Sequence, residues 1–411
     1  MDREIIAHGI LSNRMRLVTI TVPNSIVEYS GIGVNVGSSY ESRQEEGLAH
    51  FVEHTIFKGT SRHSASYILN CMELVGGELN AFTNKEETII YTIAPKGYFL
   101  KSSKLLSEIV SDSVFPEKEI DKEKSVVCDE IDSYLDTPSD AIFDELDERL
   151  FKGTCYAHNI LGNKKSVRNF TSEDCKEWLK KYFTTDNSVF FYSGPMSYHE
   201  VESKIEKIFG GYRTAKSPDK IKTSKVEDKI FNEVINIGNL HQSHVAMASR
   251  IPGIDSRYQP ELLLLSNILG GPGMNSRLNM ALREKKGLVY NVETSTSLYS
   301  DIGSFVIYYG CDHEDENLCR KLVNCELNKV NERSFSQREL DRYRSQYLGQ
   351  LTVALDSREH SIMSAARSML CRNRILTKKD VEEKIMGITP SSLQEAAKFI
   401  SPELMSSLTI R

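Results

Sequence analysis

The sequence predicts an α+β protein of two homologous domains from an internal duplication, each a mixed, mainly antiparallel sheet with helices packed on one face. Three observations predict this fold. The chain has 411 residues, more than a single hydrophobic core usually holds. Each half runs from strands through long helices to a last strand. The second half also repeats local sequence of the first half.

The first half shows the pattern of elements most clearly. Alternating apolar residues predict a strand over 15–22, and we predict further strands over 31–36, 78–83, 88–94 and 188–192. Helical spacing of apolar residues predicts helices over 65–75, 98–114, 118–135, 139–150, 172–182 and 198–209.

The repeat is strongest in the helical part. Residues 115–121 align with 335–341 at an offset of 220, and the same offset places Leu135 and Asp136 on Leu355 and Asp356. A polar, lysine-rich stretch over 212–228 separates the halves and reads as a linker. We therefore predict a first domain over 1–211 and a second over 229–411.

One short predicted helix carries a cluster of ionisable residues. His50 and His54 are four residues apart, so both imidazoles leave the same helix face, and Glu53 lies beside them. Two stacked imidazoles can hold one metal ion, and the neighbouring carboxylate can deprotonate water bound to that ion. The order is H-x-x-E-H, the inverse of the commoner zinc-protease motif.

Such a motif also arises by chance, and two histidines on an amphipathic helix are often ordinary surface or core residues. The repeat provides an independent argument. The aligned second-half positions, Leu262, Leu265 and Ser266, are apolar or small. The fold therefore does not require ionisable groups on this helix, and such groups are costly to bury unless they bind something.

A long predicted helix offers the third ligand. Glu123 and Glu130 are seven residues apart, hence on one helix face, and their aligned positions are Tyr343 and Gln350. A solvated acidic helix face is the plain alternative. The joint loss of both sets in the repeat favours Glu130 as a ligand and Glu123 as the carboxylate that orients one histidine.

Two histidines and one glutamate leave a fourth position open to water, which is the pattern of catalytic zinc. We therefore predict one Zn²⁺ per chain, with Glu53 as the base that takes the proton of the water. A zinc ion that only aids folding is the alternative, and the open position disfavours it.

Composition excludes several classes of protein. The formal net charge is -6 and no patch rich in lysine or arginine is present, so we expect no nucleic-acid partner. No apolar run approaches the length of a membrane span, so we expect no membrane association. Acidic residues near Met1 are unlike a signal or transit peptide, so we expect a cytoplasmic protein.

Several motifs together resemble a known family. These are the H-x-x-E-H motif, Glu130 located 76 residues after it, and the surrounding stretches 47–50, 57–60 and 77–83. They are similar to those of the inverzincin metallopeptidases of the pitrilysin and mitochondrial processing peptidase type. The resemblance covers essentially the whole chain. It implies a zinc endopeptidase for short or unfolded peptides, of the short branch in which one chain is half of a clam-shell.

The resemblance also implies roles for residues outside the metal cluster. The strand that contains Asn80 and Ala81 matches the edge strand that pairs with the substrate backbone in this family. Arg283 and Tyr290 match the pair that holds the substrate carbonyl and the oxyanion, a role that suits a cation and a phenol. The stretch 269–278 resembles the glycine-rich loop of the family.

The same chain contains both the ligand set and the glycine-rich loop, which heterodimeric relatives carry on different chains. We therefore expect a homodimer whose two copies enclose the peptide substrate in a chamber. The alternative is a non-catalytic subunit of the same fold that binds peptides or aids assembly, and the intact ligand set speaks against it.

Overall fold

The structure, a computed structural model, describes residues 4–216, 229–238 and 240–411. Most of the linker predicted over 212–228 lies outside these residues. The chain forms two compact units. Unit 1 contains Met1–Asp132, His158–Thr223 and Leu355–Leu376, and unit 2 contains Ser133–Ala157, Ser224–Ala354 and Thr377–Arg411.

The described residues form eleven strands. In chain order they are β1 (Ile5–Ile10), β2 (Arg16–Thr21), β3 (Val27–Val34), β4 (Glu78–Thr83), β5 (Thr88–Pro95), β6 (Ser188–Gly194), β7 (Asn232–Ile235), β8 (Ser243–Pro252), β9 (Val289–Leu298), β10 (Ile302–Cys311) and β11 (Ser406–Ile410).

The described residues also form fourteen α-helices. They are α1 (Leu48–Thr55), α2 (Ala65–Glu73), α3 (Phe99–Asp112), α4 (Glu117–Leu135), α5 (Pro138–Leu150), α6 (Lys164–Asn169), α7 (Ser172–Tyr182), α8 (Tyr198–Ile208), α9 (Gln259–Gly270), α10 (Glu316–Glu332), α11 (Gln337–Ala354), α12 (Arg358–Arg372), α13 (Lys378–Gly387) and α14 (Pro390–Ala397). The sequence missed β1 and α6, and most other first-half boundaries agree within two residues.

The sheet of unit 1 has six strands in the order β1-β2-β6-β3-β5-β4. Only the β2–β6 pair is parallel among its described pairs, and the other neighbours run antiparallel. Strand β4 pairs with β5 alone, so its second edge carries no described strand.

The sheet of unit 2 repeats this plan with five strands in the order β7-β11-β8-β10-β9. Its parallel pair among the described strands, β7–β11, corresponds to β2–β6, and its last strand, β9, corresponds to β4. The equivalent order and direction of strands confirm the predicted fold class and its duplication.

One face of each sheet packs against the helices that follow it in the same half. In unit 1, Leu17, Ile32 and Phe190 point into a core with α1, α3, α7 and α8. In unit 2, Val245 and Phe305 point into a core with α9, α10 and α14. Alternation along the strands sends the next residues to the opposite face, which is also apolar.

That opposite face is covered by a helix from the other half of the sequence, so helices pack on both faces of each sheet, whereas the sequence predicted helices on one face. Helix α12 packs with Ile362 and Ala366 on Val18, Val189 and Phe191 of unit 1. Helix α5 is equivalent to α12 in the repeat, and it packs with Ile142 and Leu146 on the corresponding face of unit 2.

The compact units therefore differ from the contiguous domains that we placed at 1–211 and 229–411 from the sequence. Apolar residues on both faces of a sheet need cover on both faces. Each half encodes a helix for that purpose, and the two halves exchange it.

No helix in the described part of the chain combines the length and the apolar character needed to cross a membrane.

Candidate metal centre and active site

Helix α1 carries three of the candidate residues, and a glycine fixes where it begins. Gly47, which precedes the helix, has a φ of 94°, a left-handed conformation that favours glycine. A Cβ atom there would also lie 2.6 Å from the carbonyl oxygen of Leu161. The helix then turns Phe51 and Val52 into the core, which leaves His50, Glu53 and His54 on its other side.

Helix α4 brings Glu130 to the two histidines. Its Oε2 lies 3.9 Å from Nε2 of His50 and 3.5 Å from Nε2 of His54. The imidazole rings lie one turn apart, with centroids separated by 4.6 Å. The structure thus brings together the three residues predicted as metal ligands.

The spacing of these atoms suits a metal ion better than it suits hydrogen bonds. One ligand atom from each residue lies within 4.8 Å of the other two. Tetrahedral zinc with bonds of about 2.1 Å places its ligand atoms roughly 3.4 Å apart. Oε2 of Glu130 is buried and has no hydrogen-bond partner among the described residues, so a cation between the three groups would satisfy it.

The electrostatics of the cluster favour neutral imidazole at His50. Burial, with a contribution from His54, lowers the pKa of His50 to about 3. Neutral imidazole is the form that binds metals, so His50 is ready to act as a ligand at neutral pH.

Glu123 lies where an orienting carboxylate would lie. Its Oε2 is 3.3 Å from Nδ1 of His54, on the side of the ring that faces away from Glu130. Its Oε1 accepts from Nζ of Lys58 at 2.7 Å. Lys58 follows α1 within the stretch 57–60, and the sequence did not predict its ion pair with Glu123. It balances the charge of a carboxylate that is mostly buried.

Glu53 lies between the ligands and strand β4. Burial raises the pKa of its carboxyl group, and the charge of Glu130 adds to this effect. Hydrogen bonds from Thr83 and the charge of His54 act in the opposite direction. A carboxylate with a raised pKa is a better proton acceptor near neutral pH.

Asn80 and Ala81 lie in the middle of β4, the outermost strand of the sheet in unit 1. Asn80 is exposed, and its side chain donates to Glu78 at 3.2 Å. Because Thr83 ends the same strand and contacts Glu53, the free edge of β4 leads directly to the ionisable cluster.

Arg283 and Tyr290 lie together in unit 2. Arg283 belongs to a short π-helical segment (Asn279–Glu284), and its guanidinium lies 5.9 Å from the ring centroid of Tyr290. Tyr290 is 84% exposed, so its phenol is accessible to a ligand.

The repeat shows what replaces the cluster in unit 2. Between α9 and α11, the side chain of Asn267 donates directly to Gln350 at 2.6 Å. Gln350 is aligned with Glu130, and Ser266 is aligned with His54. Ser266 bonds to Thr294 at 3.0 Å. Neutral side chains thus satisfy one another where unit 1 leaves a carboxylate oxygen unpaired.

Two family models match the chain in succession. Residues 16–164 match "Insulinase (Peptidase family M16)", and residues 169–347 match "Peptidase M16 inactive domain". A zinc protease of Mycobacterium bovis, named as uncharacterized, is 30% identical over 73% of this chain and 69% of its own. The chain belongs to peptidase family M16. The resemblance seen in the sequence is therefore confirmed, and the half with the ligand cluster matches the insulinase model.

Two further proteins are similar to this chain over most of its length. The mitochondrial-processing peptidase subunit beta of Saccharomyces cerevisiae is 26% identical over 93% of this chain and 86% of its own. A protease from Helicobacter pylori has the same fold, with a TM-score of 0.92 and coverage of 99% of both chains at 20% identity. The Mycobacterium bovis relative is one of several relatives that are named zinc proteases.

Proposed function

We propose that this M16 protein is a zinc-dependent endopeptidase that hydrolyses short or unfolded peptides. One observation carries the proposal. Two imidazole nitrogens and a carboxylate oxygen that has no hydrogen-bond partner among the described residues lie within 4.8 Å of one another, and the carboxylate of Glu53 lies beside them at the end of a free strand edge.

The residues of unit 1 divide the work of hydrolysis. His50, His54 and Glu130 would hold one zinc ion per chain, and Glu123 would orient His54. When bound, such an ion polarises a carbonyl group and makes a water molecule more acidic. Glu53 accepts the proton of the attacking water and then delivers it to the leaving amine.

The substrate would add as a strand along β4. An extended peptide can bond with the free backbone groups of an edge strand, and this holds it without selecting its side chains. Asn80 and Ala81 would contact the substrate on this edge. Arg283 and Tyr290 would donate to the oxyanion, since both are donors and the phenol is exposed.

We further propose that two identical chains enclose the peptide in a chamber, which would limit cleavage to short or unfolded substrates. The second unit would hold substrate and bind no metal. A cytoplasmic location stays a prediction from the sequence.

The decisive experiment compares Glu53→Gln with Glu73→Gln, a control at an exposed position at the end of α2. Both variants should bind one zinc ion per chain by elemental analysis. Cleavage of a fluorogenic peptide should fall by a factor of about 10² or more in Glu53→Gln only, because the variant lacks the proton acceptor. Undiminished hydrolysis by Glu53→Gln would refute the assigned role.

The same assays separate the alternatives. A chelator should abolish cleavage, and added zinc should restore it. A non-catalytic subunit would bind peptide without cleaving it, with zinc present or absent. A purely structural zinc would instead be needed for folding, and the zinc-loaded protein would show no peptidase activity.

A further inference from the structure

A buried carboxylate caps the helix that carries the ligands. The side chain of Glu41 is fully buried. Its Oε1 accepts from the backbone N–H of Ala49 at 2.7 Å, and its Oε2 accepts from that of Gly47 at 2.9 Å. Glu41 is not one of the predicted ligands. It lies six residues before Gly47 in the chain, and its side chain contacts the start of α1.

Helix α1 depends on this outside cap because its own sequence supplies none. The first N–H groups of a helix have no partner within the helix, and a side chain at the preceding position usually accepts from them. That position is Gly47, which has no side chain. A carboxylate at this end also interacts favourably with the positive end of the helix dipole.

A second residue holds the cap in place from another part of the chain. The ring of His158 lies with Nε2 at 2.9 Å from Oε2 of Glu41. The backbone of His158 is anchored in turn, because its carbonyl oxygen accepts from Nζ of Lys85. Burial raises the pKa of Glu41, and the donors from His158, Ala49 and Gly47 oppose that effect.

The segment that follows His158 packs closely against the same helix end. A Cβ atom at Gly162 would lie 2.2 Å from the carbonyl oxygen of Glu46, so the two backbones touch. The hydroxyl of Ser166 donates to the same carbonyl oxygen at 2.6 Å. Two groups of contacts thus hold the start of α1. Glu41 accepts from its first N–H groups, and residues 158–166 pack against the backbone of Glu46.

We propose that Glu41 and His158 are positioning residues of the metal centre. The proposal rests on the proposed function, because it concerns how tightly His50 and His54 can hold zinc. Ala49 directly precedes His50, so the bond from its N–H to Glu41 sets the rotation and height of the first helical turn. That turn decides where the two imidazoles point.

Helix α9, the counterpart of α1 in the second unit, begins after Tyr258, whose own side chain makes no capping hydrogen bond, and its first turn contains Pro260, which has no N–H to cap. It nevertheless forms a regular helix with a fully buried apolar face. Burying a carboxylate in unit 1 carries a desolvation cost that a precise ligand geometry would justify.

The test measures the affinity for zinc, by competition with a chromogenic chelator. Glu41→Gln keeps the shape of the side chain, but either orientation of its amide sets an NH₂ group against a backbone N–H. We expect its dissociation constant for zinc to rise roughly 10–100-fold, as for other residues that orient ligands. Glu45→Gln is the matched control, because Glu45 also accepts from a backbone N–H, that of Ser42. It should bind zinc as the unchanged protein does.

A second pair of variants tests the same device without altering the carboxylate. His158→Gln keeps an N–H donor near the place of Nε2, whereas His158→Leu removes it. Zinc affinity should stay within about threefold in His158→Gln and fall roughly 10-fold or more in His158→Leu. This pair decides the matter if Glu41→Gln does not fold.

A control for general destabilisation completes the design. Val201→Ala removes two buried methyl groups from α8 in the same unit, away from α1. It should lower the melting temperature without changing zinc affinity. Equal zinc affinity in all variants, or equal loss in Val201→Ala, would overturn the positioning role. Failure of the unchanged protein to bind zinc would instead overturn the proposed function.

Discussion

The exchanged helices lead to a prediction in which each mutation acts on the other half of the sequence. Ile362 of α12 is fully buried against Val18 and Phe191 of unit 1. Ile142 of α5 is fully buried against Ala246 and Leu408 of unit 2. We expect Ile362→Ala to destabilise unit 1 and Ile142→Ala to destabilise unit 2.

The magnitude follows from burial. Truncating a fully buried isoleucine to alanine costs about 2–5 kcal/mol, because apolar contacts are lost and a cavity remains. A cost of about 3 kcal/mol corresponds to a roughly hundredfold larger population of the opened unit. The two variants are chemically identical, so each is the control for the other.

Hydrogen exchange read by mass spectrometry is the suitable assay, because it reports each strand separately. In Ile362→Ala, the protected amides of β2 and β6 should exchange faster and those of β8 and β11 should not change. In Ile142→Ala, the pattern should reverse. If each variant instead loosened the sheet of its own half of the sequence, the exchange of helices would be refuted.

Three further predictions concern single contacts. Nη1 of Arg16 donates to the carbonyl oxygen of Met369 at 3.0 Å, so Arg16→Met should lower the free energy of unfolding of unit 1 by about 1–3 kcal/mol in denaturant titrations. Burial raises the pKa of Glu87 despite its ion pair with Arg367. When folding raises the pKa of a carboxyl group, the folded state holds the proton more tightly. The protein therefore loses stability as the pH rises through that pKa. The melting temperature of Glu87→Gln relative to the unchanged protein should therefore increase from pH 4 to pH 7, and a constant difference would contradict this. Tyr290→Phe should lower kcat about a hundredfold with zinc binding unchanged, whereas the same change at Tyr67, a half-exposed residue of α2, should have no effect.

The sequence predicted the repeated fold because both halves keep the same apolar spacing. It could not predict the exchange of α5 and α12. These helices are equivalent in the repeat, and an apolar helix face does not by itself indicate which of the two sheets it covers. Strand β1 was also missed, because Ile5, Ile6 and Ile10 are exposed and do not alternate clearly with polar residues.

For the site, the sequence brought together the residues whose spacing follows helix geometry. His50, His54 and Glu53 share one helix, and Glu123 and Glu130 share another. Contacts between segments that are far apart in the chain, such as that of Glu41 with His158, produce no periodic pattern in the sequence. Glu41 looks like any acid of the Glu-rich stretch before α1, and His158 lies 117 residues away from it. A glycine at the cap position of α1, with no residue there to accept from the helix, was the one available signal.

The traded helices also bear on how such a chain can change by recombination. A gene segment that encodes one half of the chain specifies a sheet, but the helix that covers the second face of that sheet is encoded in the other half. A new protein that received only this segment would therefore contain a sheet with one uncovered apolar face and an amphipathic helix without the sheet on which it packs. The two halves can diverge in sequence, as the lost ligands of the second half show, but they must be inherited together.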